Sequence, residues 1–396
     1  MGKIALGFGN NTDYEIIWDL EAILKLIKTF NLKDEEITFK KEVKTERDLL
    51  IAMLFFLKNN TGGEVNIKDT NIINNFSSNF KYKITIGGTC PRSAIAMNIL
   101  DYKSSMHLVV LNDKIKNLIP DSINYICSNK EPNYDIHLIF QYPRDVSINY
   151  KNIQINTKRE NRIIIGNNNA NSIMNLSPSF FENYVKDSKV LLISGFNTME
   201  DLDLLKNRLI FVKERISKLK EITVFYEDAC FISDKTNQMC KDILFDYVNI
   251  FSFNEDEFIS YCSNTIDLLN PKQVLSNIEN LYKKFKVETI VIHSKYWAIT
   301  YGKNSIHYKK CLRTGINMAT SRFRFGDNFI DKTQYYDTEN LEDDEISKDF
   351  TIKFNNLANN KGFCIASKKV FEKSVTTVGL GDFFVGGFIY QLSDIK

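Results

Sequence analysis

No hydrophobic run in this chain is long enough to cross a bilayer. The longest, from Leu49 to Leu57, lies between Asp48 and Lys58, whereas a spanning helix needs roughly 20 apolar residues. No block of lysine or arginine stands out. The 51 basic residues face 49 acidic ones, for a net charge of +2, so neither nucleic acid nor a membrane surface is required as a partner. The seven cysteines, at 90, 127, 230, 240, 262, 311 and 364, include no CxxC pair. They read as free thiols in a reducing compartment, mostly small core residues. The four histidines, at 107, 137, 293 and 307, are as dispersed and show no zinc spacing. His107, His137 and His293 lie in apolar, strand-like stretches, where a structural role is simpler than a ligand's. Also missing are a nucleophilic serine or cysteine elbow, a Walker Gly-x4-Gly-Lys and any internal repeat. No secretory signal is expected. With Leu6 at the sixth position there is no myristoylation signal. The expectation is a cytoplasmic protein.

What is present is material for a large core. Of 396 residues, 43% are hydrophobic, enough for one large domain with an appendage or for two domains. Residues 4–8, 82–86, 108–111, 190–194, 222–226, 248–251 and 288–293 read as strands. Residues 14–30, 45–57, 91–100, 202–218 and 236–245 carry helical spacing. Thr45 with Asp48 forms a box-like cap, and Pro91 sits in a first turn. Such alternation predicts a parallel sheet with helices on both faces. Ligands then lie beyond the carboxyl ends of the strands. Asp13, Gly87-Gly88, Gly195, Glu227, Asn254 and Ser294 all follow strands and are expected along one rim. Residues 136–165 hold short strands separated by turns, which predicts an antiparallel insertion and a candidate lid. The acidic stretch 331–350 predicts a solvated surface loop.

The densest chemistry lies in Thr376-Thr377-Val378-Gly379-Leu380-Gly381-Asp382, followed by an apolar helical pattern. A β-branched run meets a Gly-x-Gly turn and then an acid. Two readings fit: an ordinary tight turn, or a helix start whose free N–H groups hold an anion. In the second, Asp382 would take a proton from an attacking hydroxyl. Asn254 and Glu257, three apart after a strand, fit either a capping box or a carboxylate that holds magnesium through water. Glu227-Asp228 ends the neighbouring strand. Arg162, in a basic cluster, is either a solvated charge or a lid arginine over a transferring phosphate.

Together these features resemble the ADP-dependent glucokinase/phosphofructokinase family of the ribokinase-like fold, over nearly the whole length. The motifs that carry the resemblance are Gly379-Leu380-Gly381-Asp382 and the Asn254 to Glu257 pair. Residues 137–142 (HLIFQY) and 159–164 (RENRII) look like the two lid signatures, and 190–196 and 290–296 like family strands. The resemblance implies an α/β fold, with a three-layer α/β/α domain around a mostly parallel sheet and a smaller β-rich lid. The boundaries read as 1–14, 82–135 and 166–396 for the large domain, with 15–81 and 136–165 for the lid. It implies transfer of the β-phosphate of ADP to a sugar hydroxyl, with Mg2+ as cofactor. Asp382 would be the base, and Gly379 and Gly381 would frame the anion hole. Arg162 would meet the transferring group, and Glu227 and Glu257 would support the metal. Asp13, Glu64, Gly87, Gly88, Thr89, Asn161 and Gln141 would line the sugar. Asn254, His293, Val378 and Leu380 would face the nucleotide.

Four positions depart from the family pattern: Gly9 and Thr89 stand where asparagine is usual, Gln141 where glutamate is, and Phe225 where histidine is. Most of these lie at the sugar end. A neutral Gln141 removes repulsion toward a sugar phosphate, which Lys158 and Arg159 could hold. Fructose 6-phosphate is therefore expected ahead of glucose. An ATP-dependent kinase of the same fold and a catalytically silent binding paralogue are the other readings. The expected partners are ADP and a small sugar or sugar phosphate, with no oligomeric state implied.

Overall fold

The computed structural model describes residues 3–40, 42–231, 233–262, 264–371 and 376–395. The Met1-Gly2 start weighed above lies outside them. Short apolar runs build a nine-stranded sheet. In spatial order, its parallel strands are Asn124–Cys127, Ser105–Leu108, Ile4–Leu6, Val190–Ile193, Thr223–Glu227, Ile250–Asn254 and Thr289–His293. Trp297–Gly302 and Gly362–Ala366 extend it through antiparallel pairs. Val190–Ile193 and Thr289–His293 are buried throughout, as a parallel sheet covered on both faces requires. Leu191, Tyr226, Phe251 and Ile290 pack on one side against the helices Leu202–Ile216, Asp234–Leu244 and Pro271–Phe285. Leu192, Phe225, Ile250 and Val291 face the other side, where Thr89–Ile99, Lys309–Phe325 and Leu380–Leu392 lie. The result is the expected three-layer arrangement. Glu227, Asn254 and His293 are each the last residue of a strand, so they share its carboxyl rim.

A second, five-stranded sheet has the order Gly63–Asn66, Asn161–Gly166, Ile136–Tyr142, Asn11–Ile16, Tyr82–Gly87. Its outer face is buried under the helices Leu20–Thr29, Glu46–Asn59 and Thr70–Ser77. Its inner face is polar: Asp13 lies opposite His137 and Thr85, and Gln141 opposite Arg162.

The chain crosses between the sheets through a buried knot of amides. Asn10 Oδ1 accepts the N–H groups of Val109 and Val110 at 3.0 and 2.9 Å. Asn171 donates to Asn10 O at 2.9 Å and to Asp135 at 2.7 Å. Asp135 also accepts the N–H groups of Ala170 and Asn171 at 3.0 and 2.9 Å. Burial raises the Asp135 carboxyl against these donors.

Several sequence expectations are corrected. The helix expected over 14–30 begins at Leu20, N-capped by Asp19. Residues 11–16 are a strand, because Tyr14 and Ile16 alternate with Asp13 and Glu15 across its two faces. Residues 11–14 and 82–87, which the sequence boundaries put in the large unit, therefore pair in the small sheet. The antiparallel pairing expected within 136–165 is present, since Ile136–Tyr142 runs antiparallel to Asn161–Gly166, but the sheet it joins is mixed, with Asn11–Ile16 parallel to Ile136–Tyr142 and Asn161–Gly166 parallel to Gly63–Asn66. Ser147–Tyr150 and Ile153–Asn156 form a separate ribbon. The strand expected at 108–111 lies at Ser105–Leu108, because the Asn10 side chain takes the next two N–H groups. The loop expected over 331–350 is helical: Lys332–Glu339 and Glu345–Ala358 are capped by Asp331 and Asp344. They bury Tyr335, Phe350 and Phe354.

Candidate active site

Helix Leu380–Leu392 begins without a side-chain cap among the described residues. Its N-cap, Gly379, has φ 76°, a left-handed value that glycine adopts without steric cost. A Cβ there would lie 2.3 Å from Arg92 Nη1. Leu380, Gly381 and Asp382 form the first turn, so their N–H groups supply the positive end of the helix. Ser93 Oγ holds Asp382 by its carbonyl at 3.0 Å, and the Asp382 side chain is 23% exposed. Val378 is buried, with its carbonyl accepting from Arg322 Nε at 3.2 Å.

The small sheet closes over this turn. Gln141 Oε1 accepts the Thr377 N–H at 3.0 Å and the hydroxyls of Thr377 and Thr376 at 3.2 and 3.4 Å. Arg162 Nη1 donates to the Thr377 carbonyl at 3.3 Å. Gln141, expected to face the sugar, thus has its oxygen engaged by the turn. Asn161 accepts the Arg162 N–H at 2.8 Å. Arg159 Nε donates to the carbonyl of Asn60, at the end of Glu46–Asn59, at 3.1 Å.

On the inner face of the small sheet, Asp13 is almost wholly buried. Its Oδ2 accepts from Arg92 Nη2 and its Oδ1 from Asn11 Nδ2, both at 2.7 Å. Burial raises its carboxyl against the pull of Arg92 and His137. Gly87 makes this approach possible, because a Cβ there would lie 2.4 Å from Asp13 Oδ1. Gly88 is the N-cap of the helix that Thr89 begins.

On the carboxyl rim of the large sheet, Glu227 Oε1 bonds His293 Nε2 at 3.0 Å. The His293 ring is buried and stacks on Phe384 at 4.6 Å. A Cβ on Gly381 would lie 3.2 Å from that ring, so His293 links Glu227 to the helix end. Burial opposes its protonation, but Glu227 raises its pKa overall. Asn254 and Glu257 form the capping box, so that reading is realised. Burial, with Glu227 and Asp228 nearby, pushes the Glu257 carboxyl up to about 8. Burial raises the Cys230 thiol, and Glu64 of the small sheet raises it further, along with Glu257 and Asp228. Glu64 itself is exposed on its strand. Phe225 is core, packed against Phe388 at 5.5 Å.

The structure therefore places the expected residues in an inner-face group around Asp13, a rim group around Glu227 and a pair on the small sheet, Gln141 and Arg162. All three converge on residues 377–382. Sequence reading missed Arg92, which joins Asp13 to Asp382. The available signal was that Arg92 is the one charge in an otherwise uncharged helix, TCPRSAIAMNI. It also missed Lys83 of the small sheet and Asp327 of the large unit, which pair across the interface.

A carboxylate in the first turn of such a helix end, with an arginine of the covering sheet just before it, suits phosphoryl transfer in a protein of three-layer α/β/α build. The model of the ADP-specific phosphofructokinase/glucokinase conserved region matches residues 2–390, and the chain belongs to that family of ADP-dependent sugar kinases. Among solved structures, a phosphofructokinase from Pyrococcus horikoshii OT3 with AMP is 16% identical with a TM-score of 0.78, over 99% of this chain and 98% of that one. An ADP-dependent kinase complexed with fructose 6-phosphate and ADPβS is 15% identical with a TM-score of 0.78, over 99% and 94%. A last common ancestor of ADP-dependent phosphofructokinases from Methanosarcinales is 15% identical with a TM-score of 0.74, over 100% and 94%. At these identities the likeness to each is one of fold. No curated protein matches the chain significantly by sequence. No helix among the described residues is long and apolar enough to cross a membrane.

Proposed function

We propose that this chain transfers the β-phosphate of ADP to a hydroxyl of fructose 6-phosphate, leaving AMP, and that it prefers this acceptor to glucose. The observation that carries the reading is Asp382 in the first turn of an uncapped helix end, with Arg162 of the small sheet on the Thr377 carbonyl just before it. Phosphoryl transfer needs alignment and charge neutralisation more than covalent chemistry. The N–H groups of the first turn would hold the oxygens of the transferring group, and Arg162 would offset their charge. Asp382 would accept the proton of the attacking hydroxyl. The Gln141 and Arg162 contacts keep the small sheet over the turn and so exclude water, the competing acceptor. The acceptor preference is supported by charge. Gln141 adds none to the inner face, and Lys158, Arg159 and Arg162 bring positive charge to the adjoining strand and turn.

The rim fits magnesium held at one remove. Glu227 Oε2 and Asp228 Oδ1 are buried without a hydrogen-bond partner, and Glu257 is raised beside them. Among the described residues no group of three or more ligands forms a metal cage, which suits a cation held through water and diphosphate oxygens. Glu227 and Glu257 would hold it so. When bound, it supplies neutralisation of the diphosphate charge. All seven cysteines are free, in keeping with a cytoplasmic setting.

Detection of AMP with ADP, magnesium and each sugar tests the reading. We expect turnover with fructose 6-phosphate. Asp382→Ala should lower kcat by about 10²–10⁴-fold while sparing ADP binding. Turnover with glucose and none with fructose 6-phosphate would overturn the acceptor. Turnover with ATP and none with ADP would overturn the donor.

A further inference from the structure

Arg92 is 5% exposed and meets three carboxylates from two elements. From Asn11–Ile16, Asp13 Oδ2 lies 2.7 Å and Glu15 Oε1 3.8 Å from its Nη2. From Leu380–Leu392, Asp382 Oδ2 lies 3.9 Å from its Nη1. Its Nε donates to the Ile86 carbonyl at 2.9 Å, which fixes the plane of the guanidinium. Its Nη1 fills the space over Gly379 that any side chain there would claim. Burial disfavours the charge, but the surrounding carboxylates outweigh burial and keep the guanidinium protonated. Glu15 has a second cation, Lys83, at 3.1 Å. Among the described residues, Asp382 has only Arg92 within ion-pair distance.

We propose that Arg92 is a positioning residue for phosphoryl transfer: one rigid guanidinium fixes the base Asp382 relative to Asp13, the acid on the acceptor side. The inference rests on the roles given above to those two carboxylates. A planar fork can serve both at once, whereas an ammonium is a single point charge on a flexible stem. Without the guanidinium, Asp13 loses the donor to its Oδ2, and Asp382 loses the group that sets its orientation. A buried ion pair with a purely structural role would lower stability and leave the turnover of the folded enzyme unchanged.

The test compares Arg92→Met, which retains bulk without charge, and Arg92→Lys, which retains charge without the fork. Both are assayed with ADP and the sugar that the wild type accepts, with the folded fraction followed by circular dichroism and ADP binding. A misplacement of about 1 Å costs on the order of 100-fold, so we expect kcat of the folded protein to fall by about that much in Arg92→Met and by more than about tenfold in Arg92→Lys. KM for ADP should move by less than about threefold, because the lost interaction acts on the reacting centre rather than on donor binding. Ethylguanidinium added to Arg92→Ala should raise kcat. If Arg92→Met does not fold, Arg92→Lys decides. Wild-type kcat per folded molecule in the deciding variant overturns the inference alone. Absence of turnover by the wild type with every sugar overturns the functional reading and this inference with it.

Discussion

Gly379 holds a left-handed backbone with Arg92 directly above it. A side chain at that position costs about 1–2 kcal/mol from the backbone alone. It would also have to displace the guanidinium that sits between Asp13 and Asp382. Gly379→Ala is therefore expected to lower kcat by more than about tenfold, through misalignment of about 1 Å, with only a modest fall in melting temperature. Steady-state kinetics and a thermal melt on the same preparation check this. At this scale the sequence disclosed what is local. Gly379 to Asp382 form one turn, and Asn254 and Glu257 one capping box, so spacing alone put these residues together. Arg92 was hidden because its bond to Asp13 spans 79 residues of chain and crosses between the two sheets. Gln141 was legible as a lid residue, but its direction was not. Only the closed sheet shows its oxygen on Thr377.

Helix Glu345–Ala358 shows why an element can be misread. Its exposed face is so polar that the acids before and within it dominate the pattern. Its inward face is carried by few residues, among them Ser347, Phe350 and Phe354. Phe350 stacks on Trp297 at 5.4 Å, on the antiparallel strand that extends the large sheet. Phe350→Ala should destabilise the fold by about 3–5 kcal/mol, measured by urea unfolding, whereas a residue in a solvated loop would change stability by less than about 0.5 kcal/mol. The parallel strands were legible because burial on both faces leaves continuous apolar runs. Asn11–Ile16 was not, because its alternation is only six residues long and runs into a helical pattern.

Across the whole molecule, Lys83 of the small sheet pairs with Asp327 of the large unit, and Arg322 pairs with the same carboxylate. Burial of Asp327 would raise its carboxyl, but Arg322 and Lys83 hold it below the usual carboxylate range. A carboxylate lowered in the folded state contributes stability above its unfolded pKa, about 3.9 for aspartate, and loses it as pH falls through the folded value. The melting difference between wild type and Asp327→Asn should thus be flat from about pH 8 to about pH 5 and shrink progressively as pH falls below about 4 and through the lowered folded value. Thermal melts across that range check the prediction. The amides of Asn10 and Asn171 and the carboxylate of Asp135 lie where the chain passes between the sheets, and each unpaired group there would cost about 1–3 kcal/mol. Paired as they are, they hold the crossing between the two sheets in one arrangement. Gln141 is six residues along its strand from that crossing, and Arg162 sits at the far end of the neighbouring strand. Six residues of strand span about 20 Å, so a rotation of about 15° there would carry both about 5 Å from Thr377. The contacts of Gln141 and Arg162 on Thr377 are thus the ones that a small rotation at the crossing would break first.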